Sequence, residues 1–308
     1  MSHHGDLQGL TRRGWLRAMS TLAVGIGASR CVDGQSVDPG ARHYPRQMGR
    51  SRVVLIRDRA AVGSSGGVDP AVLRRMLQDA VVALTGTTTP ETAWKTLVRP
   101  SDRVGIKSNA WARLPTPVEL ETAVRDAVIG AGVDTSHVDV DDRGVLQNPV
   151  FERATVLINI RPMRTHHWSG LGTCLKNYIM FVPRPSEYHG DACASLGAIW
   201  HLPRVEGKTR LNVLVMLTPQ FHGVGPHGFS QDFVWTYGGL LVGSDPVAVD
   251  ATGARIIEAK RREFFGGHRP ISPRPHHIQV ADTRYGIGVS DPARIDLIRL
   301  GWEQGALI

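Results

Sequence analysis

The sequence predicts an α/β fold: a mostly parallel sheet with helices on both faces and an irregular insertion near residues 178–210. Three observations predict it. Strand-like and helix-like stretches alternate along the chain, the order produced when crossover helices join parallel strands. ATVLINI (154–160) is a continuous apolar, largely β-branched run, the composition of a strand covered on both faces. Three helical stretches open on a polar residue followed by Pro: Asp69–Pro70, Thr116–Pro117 and Asp245–Pro246.

In chain order, RVVLIRD (52–58) reads as a strand. DPAVLRRMLQDAVVALTG (69–86) reads as a helix capped by Asp69 and closed by Gly86, with Val72, Leu73, Met76, Ala80 and Leu84 on one face. DRVGIKSN (102–109) is a second strand, and TPVELETAVRDAVIGAG (116–132) a second helix with Thr116 as its expected cap. HVDVDD (137–142), ATVLINI, LNVLVMLTP (211–219), GGLLVGSDP (238–246) and RIDLIRLG (294–301) are further strands. DPVAVDATGARIIEAKRR (245–262) is a helix opened by Asp245. The insertion between Asn177 and Leu211 has no clear period and is expected to lie over the sheet as a lid or subdomain.

Composition narrows the function. Of 308 residues, 42% are apolar and 21% charged, enough for a substantial core. The net charge is +8; four Arg and one Asp give the first 31 residues +3 and leave +5 for the rest. There is no basic block, so a nucleic-acid partner is not expected. The three Cys (Cys31, Cys174, Cys193) include no CxxC pair. They build neither a ribbon-type zinc site nor a four-thiolate iron–sulfur cluster, so an intrinsic cluster is not expected. Cys174 and Cys193 are either a disulfide or two buried thiols.

The N-terminal residues read as an address. TRRGWLR (11–17) precedes a short, mildly apolar AMSTLAVGIGA and then CVDGQSVDPGARHYP. This is the layout of an export signal, and Arg12–Arg13 followed by Trp15-Leu16-Arg17 fits the twin-arginine pattern. Residues 1–35 are therefore expected to be a twin-arginine signal peptide and the start of a linker, 36–50 the linker, and 51–308 a single α/β domain. The expected location is periplasmic or otherwise exported, with the twin-arginine translocase as a partner. The apolar stretch is too short and polar to span a membrane.

In parallel sheets ligands bind at the carboxyl ends of the strands, and here those ends are polar. Lys107 and Asn109 follow one strand; Arg161, Arg164, Thr165, His166 and His167 follow another; His222 follows a third, and Asp245 a fourth. Arg161, Arg164 and Lys107 suit a small anionic ligand, with Asn109, Thr165, Asn177 and His189 beside it. His166, Lys176 and Asp250 are the candidate catalytic groups, since imidazoles and buried lysines move protons near neutral pH. Asp250 lies in an apolar helix and must meet a cation, a metal or backbone donors. His166, His222 and Asp245 are the candidate ligands of a divalent metal. Gly170 and Gly172 allow close backbone approach beside Lys176.

VGIKSN, the RTHHWSGLGTCLKN block (164–177), the Tyr188–His189 pair, HGVGPHG (222–228) and GSDPVAVDA (243–251) occur in that order. Together they resemble the domain of unknown function 362 family, from about Arg52 to the C-terminus. The resemblance implies an α/β domain with its site in these motifs. Members similar in this way carry twin-arginine signals or are fused to ferredoxin-like modules, which implies a redox partner. This chain differs in having Arg164 where a lysine is usual. Two readings follow: an exported enzyme acting on a small acid, of isomerase, oxidoreductase or hydrolase type, and a non-catalytic periplasmic protein that binds a metal or serves a redox partner.

Overall fold

Nearly every strand of the sheet runs in one direction, and the exceptions decide where the site lies. The computed structural model describes residues 49–223 and 228–308. The twin-arginine stretch and residues 224–227 of the HGVGPHG motif lie outside the described residues. The chain divides after Asp38, and every described residue falls within Pro39–Ile308.

The strands are β1 (Ser51–Arg57), β2 (Val104–Lys107), β3 (Val138–Asp141), β4 (Val156–His166), β5 (Gly170–Gly172), β6 (Thr209–Gln220), β7 (Gly239–Gly243) and β8 (Ile295–Gly301). They form one sheet in the order β3-β2-β4-β6-β7-β1-β8, with β5 paired to β4. Strands β3, β2, β4 and β6 are mutually parallel, as are β1 and β8. β7 is antiparallel to both β6 and β1, and β5 to β4.

Helices α1 (Pro70–Thr85), α2 (Pro90–Leu97) and α3 (Val118–Gly130) cover one face. The core there joins Leu73, Met76, Trp94, Leu120 and Val124 to Val54, Ile106, Ile158 and Val213 of the strands. Short helices α4 (Pro149–Glu152) and α5 (Cys174–Asn177), with α6 (Pro246–Phe265) and α7 (His277–Thr283), belong to the other face. Its core joins Phe151, Leu175, Val249, Ile256 and Ile278 to Leu55, Leu157, Leu214 and Leu241. Alternate residues of β4 thus enter two separate cores, which is why ATVLINI carries apolar residues for both faces.

α1 begins as the sequence predicts: Asp69 Oδ1 accepts from the N–H groups of Ala71 and Val72, and Gly86 closes the helix in the left-handed region. α3 does not. Pro117 holds its N-cap position without a side-chain cap. Thr116 instead turns its hydroxyl to the backbone N–H of Asn109, at 3.1 Å, and braces the loop after β2.

Two further differences concern the site. β4 runs six residues beyond ATVLINI, because Arg161 and Pro162 stay paired with β6, Arg164 pairs with Gln220 after a shift in register, and Arg164–His166 pair with β5. RPMRTH is therefore strand, not loop. The reversal of β7 puts its carboxyl end level with Asn212, near the start of β6. Asp245 thus leaves the sheet at the opposite edge from His222.

The insertion is a succession of short turns, as expected, but it is a packed layer. Tyr178, Phe181, Leu196, Ile199 and Trp200 are buried in the second core, and the Tyr178 and Trp200 rings stack at 4.3 Å. Cys174 and Cys193 are both free and buried. Among the described residues no helix is long and apolar enough to cross a membrane.

Candidate functional site

Lys107, at the end of β2, is a buried cation within the sheet. It is fully buried, and its ammonium donates to Asp142 at 2.5 Å, to the Ser108 carbonyl at 2.6 Å and to Asn177 Oδ1 at 3.4 Å. Burial pushes its pKa down to about 8 against the pull of Asp142. Burial acts upward on Asp142, but the Lys107 ammonium outweighs it and holds that carboxyl below the usual range.

Asn177, in α5, ties this pair to β4. Its Nδ2 donates to the Lys107 carbonyl, to Asn159 Oδ1 at 2.8 Å and to the Ile160 carbonyl. Asn159 in turn donates to Asn212 Oδ1 at 3.0 Å on β6, and Asn212 to the Ser244 carbonyl. A line of buried amides thus crosses the sheet. The sequence carried the signal, a single Asn inside each of ATVLINI and LNVLVML, since a polar side chain in an all-apolar strand must find a partner. Neither Asn159 nor Asn212 was among the expected site residues, and nor was Asp142.

Asp250 is placed by α6 against the start of α5. It accepts from the N–H groups of Cys174 and Leu175, each at 2.9 Å, and from the Thr173 hydroxyl. Of the partners expected for it, backbone donors are the ones it meets. The carboxylate is fully buried and taken up by three donors, so it fixes the segment that carries Lys176 and Asn177. Burial raises its pKa to about 7 despite those donors.

Above this base stands a crown of cations. Arg161, Arg164 and Lys176 are all buried. Burial lowers Arg161 to about 10; burial and then repulsion from Arg161 lower Arg164 to about 9. Both guanidiniums stay charged at neutral pH. Among the described residues neither has a carboxylate at ion-pair distance, and the buried Nε of each has no hydrogen-bond partner. The Arg164 guanidinium lies 4.0 Å over the Trp111 ring. Gly172 admits Arg161: a Cβ at that position would lie 2.8 Å from Arg161 Nη2. Thr165 Oγ1 and Asn109 Oδ1 are also buried without a partner, while Asn109 Nδ2 reaches Asn177 at 3.4 Å.

Lys176 faces the Cys193 thiol, and burial brings its pKa down to about 8. His166 accepts a hydrogen bond from the Trp168 N–H at its Nδ1, at 3.2 Å. Burial, then Lys176, Arg161 and Arg164, push its pKa far below neutrality. His166 is therefore a neutral imidazole with its proton on Nε2, a hydrogen-bond donor rather than a base. His189 stacks on Trp168 at 3.9 Å.

The expected metal set is not brought together. Asp245 caps α6 through the N–H groups of Val247 and Ala248, and also accepts from the Val289 N–H and the Ser51 hydroxyl. Asp245 and His222 lie beyond opposite ends of the β6 stretch Asn212–Gln220, eight residue steps or roughly 27 Å at the rise of a strand. His222 Nδ1 accepts from Arg261 at 2.9 Å, and its ring packs against Phe233 and Phe265. Among the described residues no three His, Cys, Asp or Glu side chains gather to hold a metal ion.

Fold and site together define an α/β sheet protein with a buried cationic crown at the carboxyl edge of β2 and β4. Residues 104–255 match the family model described as Domain of unknown function (DUF362), a span that contains Lys107, Arg161, Arg164, His166, Lys176 and Asp250. No curated protein and no solved structure matches the chain.

Proposed function

We propose that this chain binds a small anion, through a carboxylate or phosphate group, at Arg161, Arg164 and Lys176, and acts on it as an enzyme of the proton-transfer type. The observation that carries this reading is the charge imbalance. Arg161, Arg164, Lys107 and Lys176 are buried cations, and the nearby carboxylates are Asp142, held by Lys107, Asp141, held by Gly144 and Asn148, and Asp250, held by two amides and the Thr173 hydroxyl. Burying a guanidinium without a counter-charge costs several kcal/mol. An anionic ligand supplies that charge and meets the unpartnered Nε groups.

The proton chemistry falls to Lys176. With its pKa near 8, a fraction of the amine is neutral at physiological pH, the condition for a general base. His166 supplies a neutral N–H for oxygen that gains charge as a proton leaves carbon. Asp250 and Asn177 position the segment that bears Lys176. Asn109, Thr165 and His189 are the remaining ligand contacts in this reading. The twin-arginine motif supports export of the folded protein to the periplasm; Arg12→Lys with Arg13→Lys should leave it in the cytoplasmic fraction.

The test is calorimetry with phosphate, sulfate and acetate at constant ionic strength. Binding should weaken at least tenfold in Arg161→Gln. Exchange of carbon-bound hydrogen for deuterium in a panel of 2-hydroxy and 2-oxo acids, followed by NMR, should vanish in Lys176→Met. Anion binding that ignores Arg161 would overturn the site. Binding without exchange on any acid would favour the non-catalytic reading.

A further inference from the structure

We infer that the anion held by the crown carries a flat, π-rich body, an aryl or heteroaryl acid, and that Trp168 selects it; the inference rests on the anion-binding reading above. Trp168 sits in the turn between β4 and β5 and is 46% exposed, one of three large apolar side chains so open among the described residues. An indole in water forgoes the burial that usually fixes it. This one is nevertheless held in place. The His189 ring stacks on it at 3.9 Å and 25°, the His167 ring lies 4.0 Å away, and the His166 ring 6.0 Å.

The supporting imidazole is uncharged. Burial, then Lys176 and His167, bring His189 down to about 4, so at neutral pH it is a flat neutral ring. A rigid, exposed indole backed by a neutral ring is a stacking platform. It also faces the right neighbours. Arg164 and His166 are two residues apart on β4, about 7 Å, and the His166 ring leads on to Trp168. On the crown's other flank Trp111 lies under the Arg164 guanidinium, with Phe229 edge-on to it at 5.6 Å. Trp111, stacked on Arg164, and Trp168, joined to the crown through the His166 ring, are the aromatic side chains beside a carboxylate on Arg164.

The geometry separates two contributions that one experiment can read apart. The full chain is titrated with 2-naphthoate, cyclohexanecarboxylate and acetate, in the wild type and in Arg161→Gln, Trp168→Phe and Trp168→Leu. Trp168 is exposed, so its replacement leaves the core untouched. The wild type should prefer naphthoate over cyclohexanecarboxylate by about fivefold to tenfold, the size of a ring–ring contact. Trp168→Phe should keep most of that preference and Trp168→Leu should erase it. A preference that is absent, or that survives in Trp168→Leu, would overturn the inference. Acetate binding lost in Arg161→Gln would then show that the anion site itself stands. If none of the three acids binds, both readings fall.

Discussion

The Lys107 ammonium lies 2.5 Å from the Asp142 carboxylate, and the lysine has no exposure to solvent. The two residues come from the ends of adjacent parallel strands, β2 and β3, and close the floor of the cationic crown. Among the described residues, Lys107 is the crown cation with a carboxylate at ion-pair distance, and Arg161 and Arg164 have none at that distance.

Asp142→Asn should therefore be costly. It leaves a buried ammonium without its partner, a change that typically removes about 3–5 kcal/mol. Urea unfolding would show a lowered midpoint with unchanged slope. Adding Lys107→Met to that variant should recover part of the loss, since the orphaned charge disappears. A double variant as unstable as the sum of the singles would contradict the pairing.

Stability should rise with pH in the alkaline range. Lys107 and Lys176 titrate at about 8 in the folded protein and near 10.4 in an unfolded chain. Between those values the unfolded chain binds more protons, so the free energy of unfolding increases from about pH 8 towards pH 10. Urea midpoints at pH 7.5 and 9.5 check this.

Asp250→Asn should weaken anion binding from a distance. An amide cannot accept at both of its heads, so one of the three donors from Thr173, Cys174 and Leu175 loses its acceptor, at about 1–3 kcal/mol. The segment carrying Lys176 and Asn177 is then poorly held. Calorimetry should show at least a threefold loss of phosphate affinity along with the lowered stability. The carboxyl's own titration has the opposite sign to that of the lysines. Its pKa is raised from 3.8 to about 7, so its contribution is complete below pH 4 and is lost as pH rises through 7.

Gly170→Ala and Gly172→Ala should separate stability from binding. At Gly170, φ is +71° and a Cβ would strike the Pro273 carbonyl, which is backbone and cannot give way. Stability should fall by about 2 kcal/mol or more. At Gly172 the Cβ meets the end of the Arg161 side chain, which can move. Melting should change little while phosphate affinity falls at least threefold. Equal effects on melting would refute the placement of Arg161.

The polar residues that proved central had left different traces in the chain. Asn159 and Asn212 are isolated amides in apolar strands, a signal that could have been taken as a demand for partners. Asp142 closes an acidic run, HVDVDD, in which nothing distinguishes it from Asp139 or Asp141. The register of β2 against β3 sets Asp141 opposite Lys107, and the residue just past the end of β3, Asp142, is the one whose carboxylate meets the ammonium. The role of Asp250 was half legible: a carboxylate in an apolar helix face needed donors, but their identity as the first amides of α5 depended on how α6 crosses that segment.

Local sequence was enough for what depends on a few neighbouring residues. It determined the alternation of strands and helices, the Asp69 and Asp245 caps, the doubly covered ATVLINI strand and the concentration of cations that follows ATVLINI, because periodicity and capping act over a turn or a strand. Strand direction and side-chain pairing were decided by the tertiary structure. One reversed strand, β7, removed Asp245 from the site, and the packing of α5 onto β4 gathered Lys107, Arg161 and Lys176 around Asn177. Those outcomes come from contacts between residues tens of positions apart, whose energies no local stretch contains.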